Sequence, residues 1–129
     1  MLKEKTTMKV GFVIVYVSDY AKALDFYTKQ LELQIDYADG KNWAQFKTGE
    51  DVSLAIEACS PERMECGAKL VGRFVGVTLV VENILDVCER LSKNGVELSG
   101  KPEKQNWGGT LVNIRDLDGN VLTLMETDE

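Results

Sequence analysis

The chain contains one pattern twice. Residues 12–31, FVIVYVSDYAKALDFYTKQL, lie over residues 76–95, GVTLVVENILDVCERLSKNG, at a constant offset of 64. Val15 falls on Leu79, Val17 on Val81, Asp19 on Asn83 and Lys29 on Lys93. Both copies read as a strand, a cap and a helix. In the first, Ser18 or Asp19 can cap a helix whose apolar stripe is Ala23, Leu24, Tyr27 and Leu31. In the second, Asn83 caps a stripe of Ile84, Val87, Cys88 and Leu91, which ends at Asn94-Gly95. Self-similarity on this scale means one supersecondary unit used twice, so the fold must consist of two like halves.

Each half continues with short strands, near 34–38, 42–48 and 52–58 in the first and near 96–99, 109–115 and 120–126 in the second. Turn chemistry separates them at Asp39-Gly40, at Thr48–Asp51 and at Asp116–Asn120, DLDGN, where Asp and Asn bond their own backbone and Gly supplies positive φ. The last of these is read as a turn and not as a site. Between the halves, Cys59–Arg73 has breakers and no periodicity. The fold class is therefore α+β, two tandem β-α-β-β-β modules within one domain spanning residues 9–127. Residues 9–58 form the first module, 59–73 the linker and 74–129 the second, and residues 1–8 are expected to be a flexible tail.

Side chains on a strand alternate between two faces. Val13, Val15 and Val17 can pack the first helix, and Val75, Val77, Leu79 and Val81 the second, joined by Val52, Leu54, Ile56, Val112, Ile114, Leu122 and Leu124. The opposite faces carry Phe12, Ile14, Tyr16, Trp43, Gln45, Ser53, Ala55 and Glu57 in one module. In the other they carry Gly76, Thr78, Val80, Leu111, Asn113, Thr123 and Met125. The opening strand, VGFVIVYVSD, lacks the alternation of a half-wet strand because both of its faces are shielded or one lines a site. Two such mixed faces side by side would form a concave cradle suited to a small molecule.

Composition removes several functions. Lys and Arg total 15 against 21 Asp and Glu, a net charge of -6, which repels phosphate backbones and favours a cationic ligand. Nucleic acid is not expected as a partner. No run of about 18 apolar residues could span a membrane. The opening MLKEKTTMK lacks a signal-peptide core, so a cytoplasmic location is expected. Cys59, Cys66 and Cys88 fit neither a disulfide framework nor a zinc spacing, and free thiols are expected, Cys88 as a small core hydrophobe. The chain has no histidine, which removes the commonest metal ligand and the commonest general acid or base.

Three stretches carry a family likeness: VYVSDYAKALDFYTKQLEL (Val15–Leu33), LVVENILDVCERLSKNGVEL (Leu79–Leu98) and WGGTLVNIRDLDGNVLTLMET (Trp107–Thr127). Together they resemble the vicinal oxygen chelate superfamily, of the glyoxalase/bleomycin-resistance/dioxygenase type. The resemblance implies a U-shaped mixed sheet built by the paired modules, and a site often shared across a homodimer. In metal-dependent members it implies a divalent ion held by His, Gln or Glu from the first and fourth strands of each module. Those positions here are Phe12, Gly76, Thr123 and either Glu57 or Ala55, between which strand parity does not choose. Such a set does not supply three or four donors, so no metal and no cofactor are expected. No spacing supports a relocated site using Glu57, Glu82, Glu126 or Cys59.

Three functions follow. The first is a small-molecule binding or sequestration protein for an aromatic or cationic ligand. It would be lined by Phe12, Ile14, Tyr16, Trp43, Gln45, Glu57, Thr78, Trp107, Asn113 and Thr123. The second, implied by the resemblance, is a glyoxalase-like lyase or isomerase, with Glu57 as base and Tyr16 as proton donor. The third is a non-catalytic interaction domain whose concave aromatics bury a partner chain or the dimer mate. Binding ranks first.

Overall fold

The computed structural model describes residues 8–59 and 68–127. The expected tail, except for Met8, and residues 60–67 of the linker, Cys66 among them, lie outside the described residues. The duplication appears as two modules, each closing its own sheet. In the first, β1 (Phe12–Val17), β2 (Ile35–Ala38), β3 (Trp43–Phe46) and β4 (Ser53–Ala58) take the order β1-β4-β3-β2, with β1 parallel to β4. The second contains β5 (Phe74–Val80), β6 (Glu97–Leu98), β7 (Glu103–Lys104), β8 (Thr110–Arg115) and β9 (Val121–Glu126). Its order is β5-β9-β8-β6, with β7 paired to the start of β8. Strands β1 and β5 are thus equivalent edges of two mixed sheets.

The helices start where their caps dictate. Asp19 accepts the Lys22 N–H at 3.1 Å and opens α1 (Tyr20–Asp25). Ser18 is not the cap, because its hydroxyl donates to Asp118 Oδ1 at 2.5 Å. After Asp25 the chain makes a π-helical turn over Phe26–Gln30, and both Phe26 and Tyr27 are buried. Asn83 accepts the Asp86 N–H and opens α2 (Ile84–Lys93), which buries Ile84, Cys88 and Leu91. No helix among the described residues is long and apolar enough to cross a membrane.

Three expectations change. Val52 was assigned to the core, but β4 begins one residue later and Val52 is exposed. The short β7 carries no alternating apolar signal, so periodicity could not reveal it. In β5 the register slips between Phe74 and Thr78, with Gly76 at φ +82° in the irregular stretch. That bulge weakens the packing of β5: Val75, Val77, Leu79 and Val81 are only half-buried, whereas Val15 and Val17 are fully covered in β1.

The modules meet about a twofold-like relation. Gln30 Nε2 donates to the Asn94 carbonyl at 3.0 Å, and Asn94 Nδ2 returns a bond to the Gln30 carbonyl at 2.9 Å, across the same 64-residue offset as the repeat. A second junction is buried. Asp116 accepts its own turn's Asp118 and Asn120 N–H groups through Oδ1, and through Oδ2 it accepts the Tyr27 hydroxyl at 2.7 Å and Asn120 Nδ2 at 2.9 Å. Asn120, with no exposed surface, also donates to the Tyr16 carbonyl of β1 and accepts the Gly72 and Arg73 N–H groups through Oδ1. Arg73 Nη2 donates to the Ile14 carbonyl at 2.8 Å. The Ile14 and Tyr16 carbonyls of edge strand β1 are therefore capped by side chains of the linker's last residue and of the second module.

Removing Asn120 would orphan buried groups on both modules at once. Asn120→Ala is expected to lower unfolding free energy by about 2–4 kcal/mol. Asn83→Ala, which removes only a helix cap, should cost about 1 kcal/mol, both read by denaturant titration. Tyr27 allows a pH test, because burial, followed by the Asp116 charge, lifts its hydroxyl pKa well above the ordinary tyrosine value. A raised acid pKa contributes stability that is present below the unfolded value and lost as pH rises above it, since only the unfolded chain then ionises. Wild type should lose more stability than Tyr27→Phe between about pH 9 and pH 11, while at neutral pH Tyr27→Phe should be the weaker by about 1–2 kcal/mol.

Candidate functional site

Strand register assembles the first cluster. Phe12, Ile14 and Tyr16 of β1 stand opposite Ser53, Ala55 and Glu57 of β4. Gln45 and Trp43 of β3 then stand opposite Ala55 and Glu57. Phe12 and Trp43 belong to rows four residues apart along β1, yet their rings meet edge to face with centroids 5.2 Å apart. Ala55 lies in the row between them and is fully buried. Parity alone had put Ala55 on the open face; the aromatic pair closing over its row covers it.

The indole of Trp43 is held in place. Its Nε1–H donates to Gln45 Oε1 at 2.9 Å, and Gln45 Nε2 donates in turn to Asp36 Oδ2 at 3.3 Å. The backbone before it is fixed by Asp39 Oδ1, which accepts the N–H groups of Lys41, Asn42 and Trp43. These bonds, that of Lys41 first, hold the Asp39 carboxyl below its usual range. Tyr20 donates its hydroxyl to the Trp43 carbonyl at 3.1 Å. Phe12 keeps 44% of its surface exposed, so the pair offers an oriented aromatic surface and not a sealed core. Sequence reasoning missed Asp36 because the register of β2 shifts between Ile35 and Tyr37 and breaks the alternation there, and it read Asp39 only as a turn residue.

The second cluster lies on the other sheet. Thr78 stands opposite Thr123, and Thr123 opposite Asn113. Thr123 Oγ1 donates to Asn113 Oδ1 at 2.8 Å, and the Asn113 N–H donates to Ser99 Oγ at 3.2 Å. Asn113 also lines a cavity of about 260 Å³ with Ser99, Lys101, Glu103 and Gln105. Trp107 sits apart from both clusters, in the tight turn from β7 to β8 closed by Gln105 N–H to the Gly109 carbonyl at 2.7 Å. Its ring packs so closely on Gly109 that no side chain fits there, and 63% of its surface is exposed.

The same registers bear on a metal. Ile14 pairs with Ala55 in the first module as Thr78 pairs with Thr123 in the second, while Tyr16 with Glu57 matches Val80 with Met125. Ala55 is thus the counterpart of Thr123 within the duplication. The four positions are then Phe12, Gly76, Ala55 and Thr123, with one hydroxyl among them and Ala55 sealed from solvent. These residues do not fit a divalent cation, which needs several charged or imidazole donors. Among the described residues no group of three or more Cys, Asp or Glu is placed to hold one elsewhere.

Fold and site together are those of a two-module βαβββ protein with a partly exposed aromatic pair on its first sheet. The sequence model of the Glyoxalase/Bleomycin resistance protein/Dioxygenase superfamily matches residues 9–124, and the chain belongs to that family. It is 32% identical to the YetH protein of Bacillus subtilis (strain 168), over 92% of this chain and 98% of that one. Among solved structures it is similar to a member of the superfamily from Sphaerobacter thermophilus, with TM-score 0.78, 27% identity and coverage of 92% and 97%. It is also similar to TnmS3, an antibiotic binding protein from Streptomyces sp. CB03234, with TM-score 0.73, 27% identity and coverage of 96% and 99%.

Proposed function

We propose that this protein binds and sequesters a small aromatic or cationic organic molecule on its concave faces without transforming it. The observation that carries this is the Phe12–Trp43 pair, held by the Gln45–Asp36 relay over Ala55, in place of metal-ligating side chains. Flat rings with one exposed face give large apolar contact at low conformational cost, and nearby carboxylates add attraction for a cation. The likeness to TnmS3, an antibiotic binding protein, supports the same reading. Ile14, Tyr16 and Glu57 complete the aromatic cluster by register, and Thr78, Asn113 and Thr123 supply a polar counterpart on the second sheet. Planar aromatic cations such as ethidium and acridine orange should quench tryptophan emission saturably. Trp43→Phe, which leaves only Trp107 emitting, should remove the quenching, and Phe12→Ala should weaken binding about tenfold, the scale of losing one buried aromatic contact. A panel of aromatic and cationic compounds with no saturable quenching would sink the proposal.

A homodimer belongs to the same proposal. β5 is an edge strand with no fully buried residue, and Phe74 and Val80 leave 62% and 64% of their surfaces exposed. An edge with that much apolar surface is suited to cover by a second copy. Sedimentation velocity at micromolar concentration should show a dimer, and Val80→Lys should shift it towards monomer; a wild-type monomer would remove this part of the proposal.

A further inference from the structure

The duplication allows one end of the molecule to be compared with the other, and the two ends are not filled alike. In the first module the space between helix and sheet holds three buried rings, Phe26, Tyr27 and Phe46, with Tyr27 centroids 5.3 Å from Phe26 and 5.7 Å from Phe46. The 64-residue offset puts Arg90 and Leu91 at the places of Phe26 and Tyr27. Strand register puts Ile114 at the place of Phe46, because Asn113 stands opposite Thr123 as Gln45 stands opposite Ala55, and each is followed by one of the two. All three replacements line one cavity of about 410 Å³ between the modules.

Its walls include Leu79, Val81, Val87 and Leu124 of the second module, and the first module contributes Leu31, Leu33, Lys47 and Thr48. Lys47 and Thr48 follow β3 as Arg115 and Asp116 close β8, so Thr48 is the counterpart of Asp116. At one end of the molecule Tyr27 donates to Asp116 and closes the gap; at the other, Leu91 has no hydroxyl to offer Thr48 and the gap is a cavity. Among the described residues, Lys47 and Arg90 are the only charged ones lining it, both exposed at its rim, in a chain whose net charge is -6. Arg90 holds Glu32 through Nε at 2.8 Å, which leaves its Nη groups as donors.

We propose that this cavity is a second ligand site, for an amphipathic carboxylate. The apolar tail occupies the space of the missing rings, and the carboxylate is held at the rim by Lys47 and Arg90. The site is separate from the concave aromatic surface and takes ligands of the opposite charge.

Isothermal titration of the full-length protein with octanoate is the test, with octylamine and octanol as matched controls. Octanoate should bind saturably and each control at least about tenfold more weakly, the scale of a charge-assisted bond. Lys47→Gln should weaken octanoate about tenfold. Leu91→Phe and Ile114→Phe, each restoring a ring that the first module has, should abolish octanoate binding while raising Tm. Methyl shifts of Leu91, Ile114 and Leu124 should move on octanoate addition, and Trp43 emission should not, which separates this site from the concave surface. Absence of saturable binding at millimolar octanoate would overturn the proposal. So would equal binding of the controls, or wild-type binding by both Lys47→Gln and the ring-restoring variants. If those variants do not fold, methyl shifts confined to other residues decide against it.

Discussion

Everything in this molecule is arranged around the buried pair Asp116 and Asn120. A β-turn could satisfy its own backbone and end there, and the Asp–Gly–Asn chemistry of residues 116–120 is sufficient for that. Here the two side chains do more. Between them they hold the hydroxyl of Tyr27, the outward carbonyl of Tyr16 and the N–H groups that lead into β5. Buried polar groups raise stability only when all are satisfied, and a partly satisfied set is worse than an apolar one. The pair therefore specifies a single way of seating the first module on the second, and with it the relative placement of the two sheet edges.

That arrangement explains an asymmetry the repeat alone would not suggest. A perfect duplication would give two such junctions, one at each end of the twofold-like relation. The reciprocal bonds of Gln30 and Asn94 preserve the symmetry at its centre. Away from the centre it is broken: one end is locked by Tyr27 and packed with rings, and the other carries Leu91, Arg90 and Ile114 around open space. Close packing elsewhere makes such a void costly, because its lining loses contacts on one side. One locked end suffices to hold the modules together, which frees the other to diverge.

Much of this was legible in the sequence, and what was not has a common cause. The helices, their caps at Asp19 and Asn83, and the buried stripes follow from spacing, because periodicity records which face meets the core. The face assignments of β1, β3 and β8 hold for the same reason. Ala55 escaped because the rings that meet over its row are anchored in the rows on either side, and alternation says nothing about what folds over a strand. Val52 escaped because strand ends are set by hydrogen bonding and not by hydrophobicity. The DLDGN turn was read as local chemistry, which it is; its long-range role needs Tyr27, Tyr16 and Gly72, none of which is near it in sequence. The clusters around Trp43 and Asn113 were foreseeable as faces, but the Asp36 and Ser99 contacts that orient them were not.

The Phe12–Trp43 pair also shows how differently the same scaffold can be furnished when its coordinating positions carry no donors. A metal centre is a demanding arrangement, since its ligands must converge within tenths of an ångström and stay partly exposed to substrate. An aromatic surface is tolerant: stacking and edge contacts operate over a range of distances, and their strength comes from area and desolvation more than from angle. Phe12 at one ligand position and a sealed Ala55 at another turn the same scaffold from a coordinating site into a flat apolar platform. On the proposed binding role, the rigid seating of Trp43 by Gln45 and Asp36 would favour affinity, because an indole already fixed in orientation loses little entropy when a ligand stacks on it. Selectivity on such a surface would then follow from the charges beside it, Asp36 bonded to the relay and Glu57 in the row of Trp43.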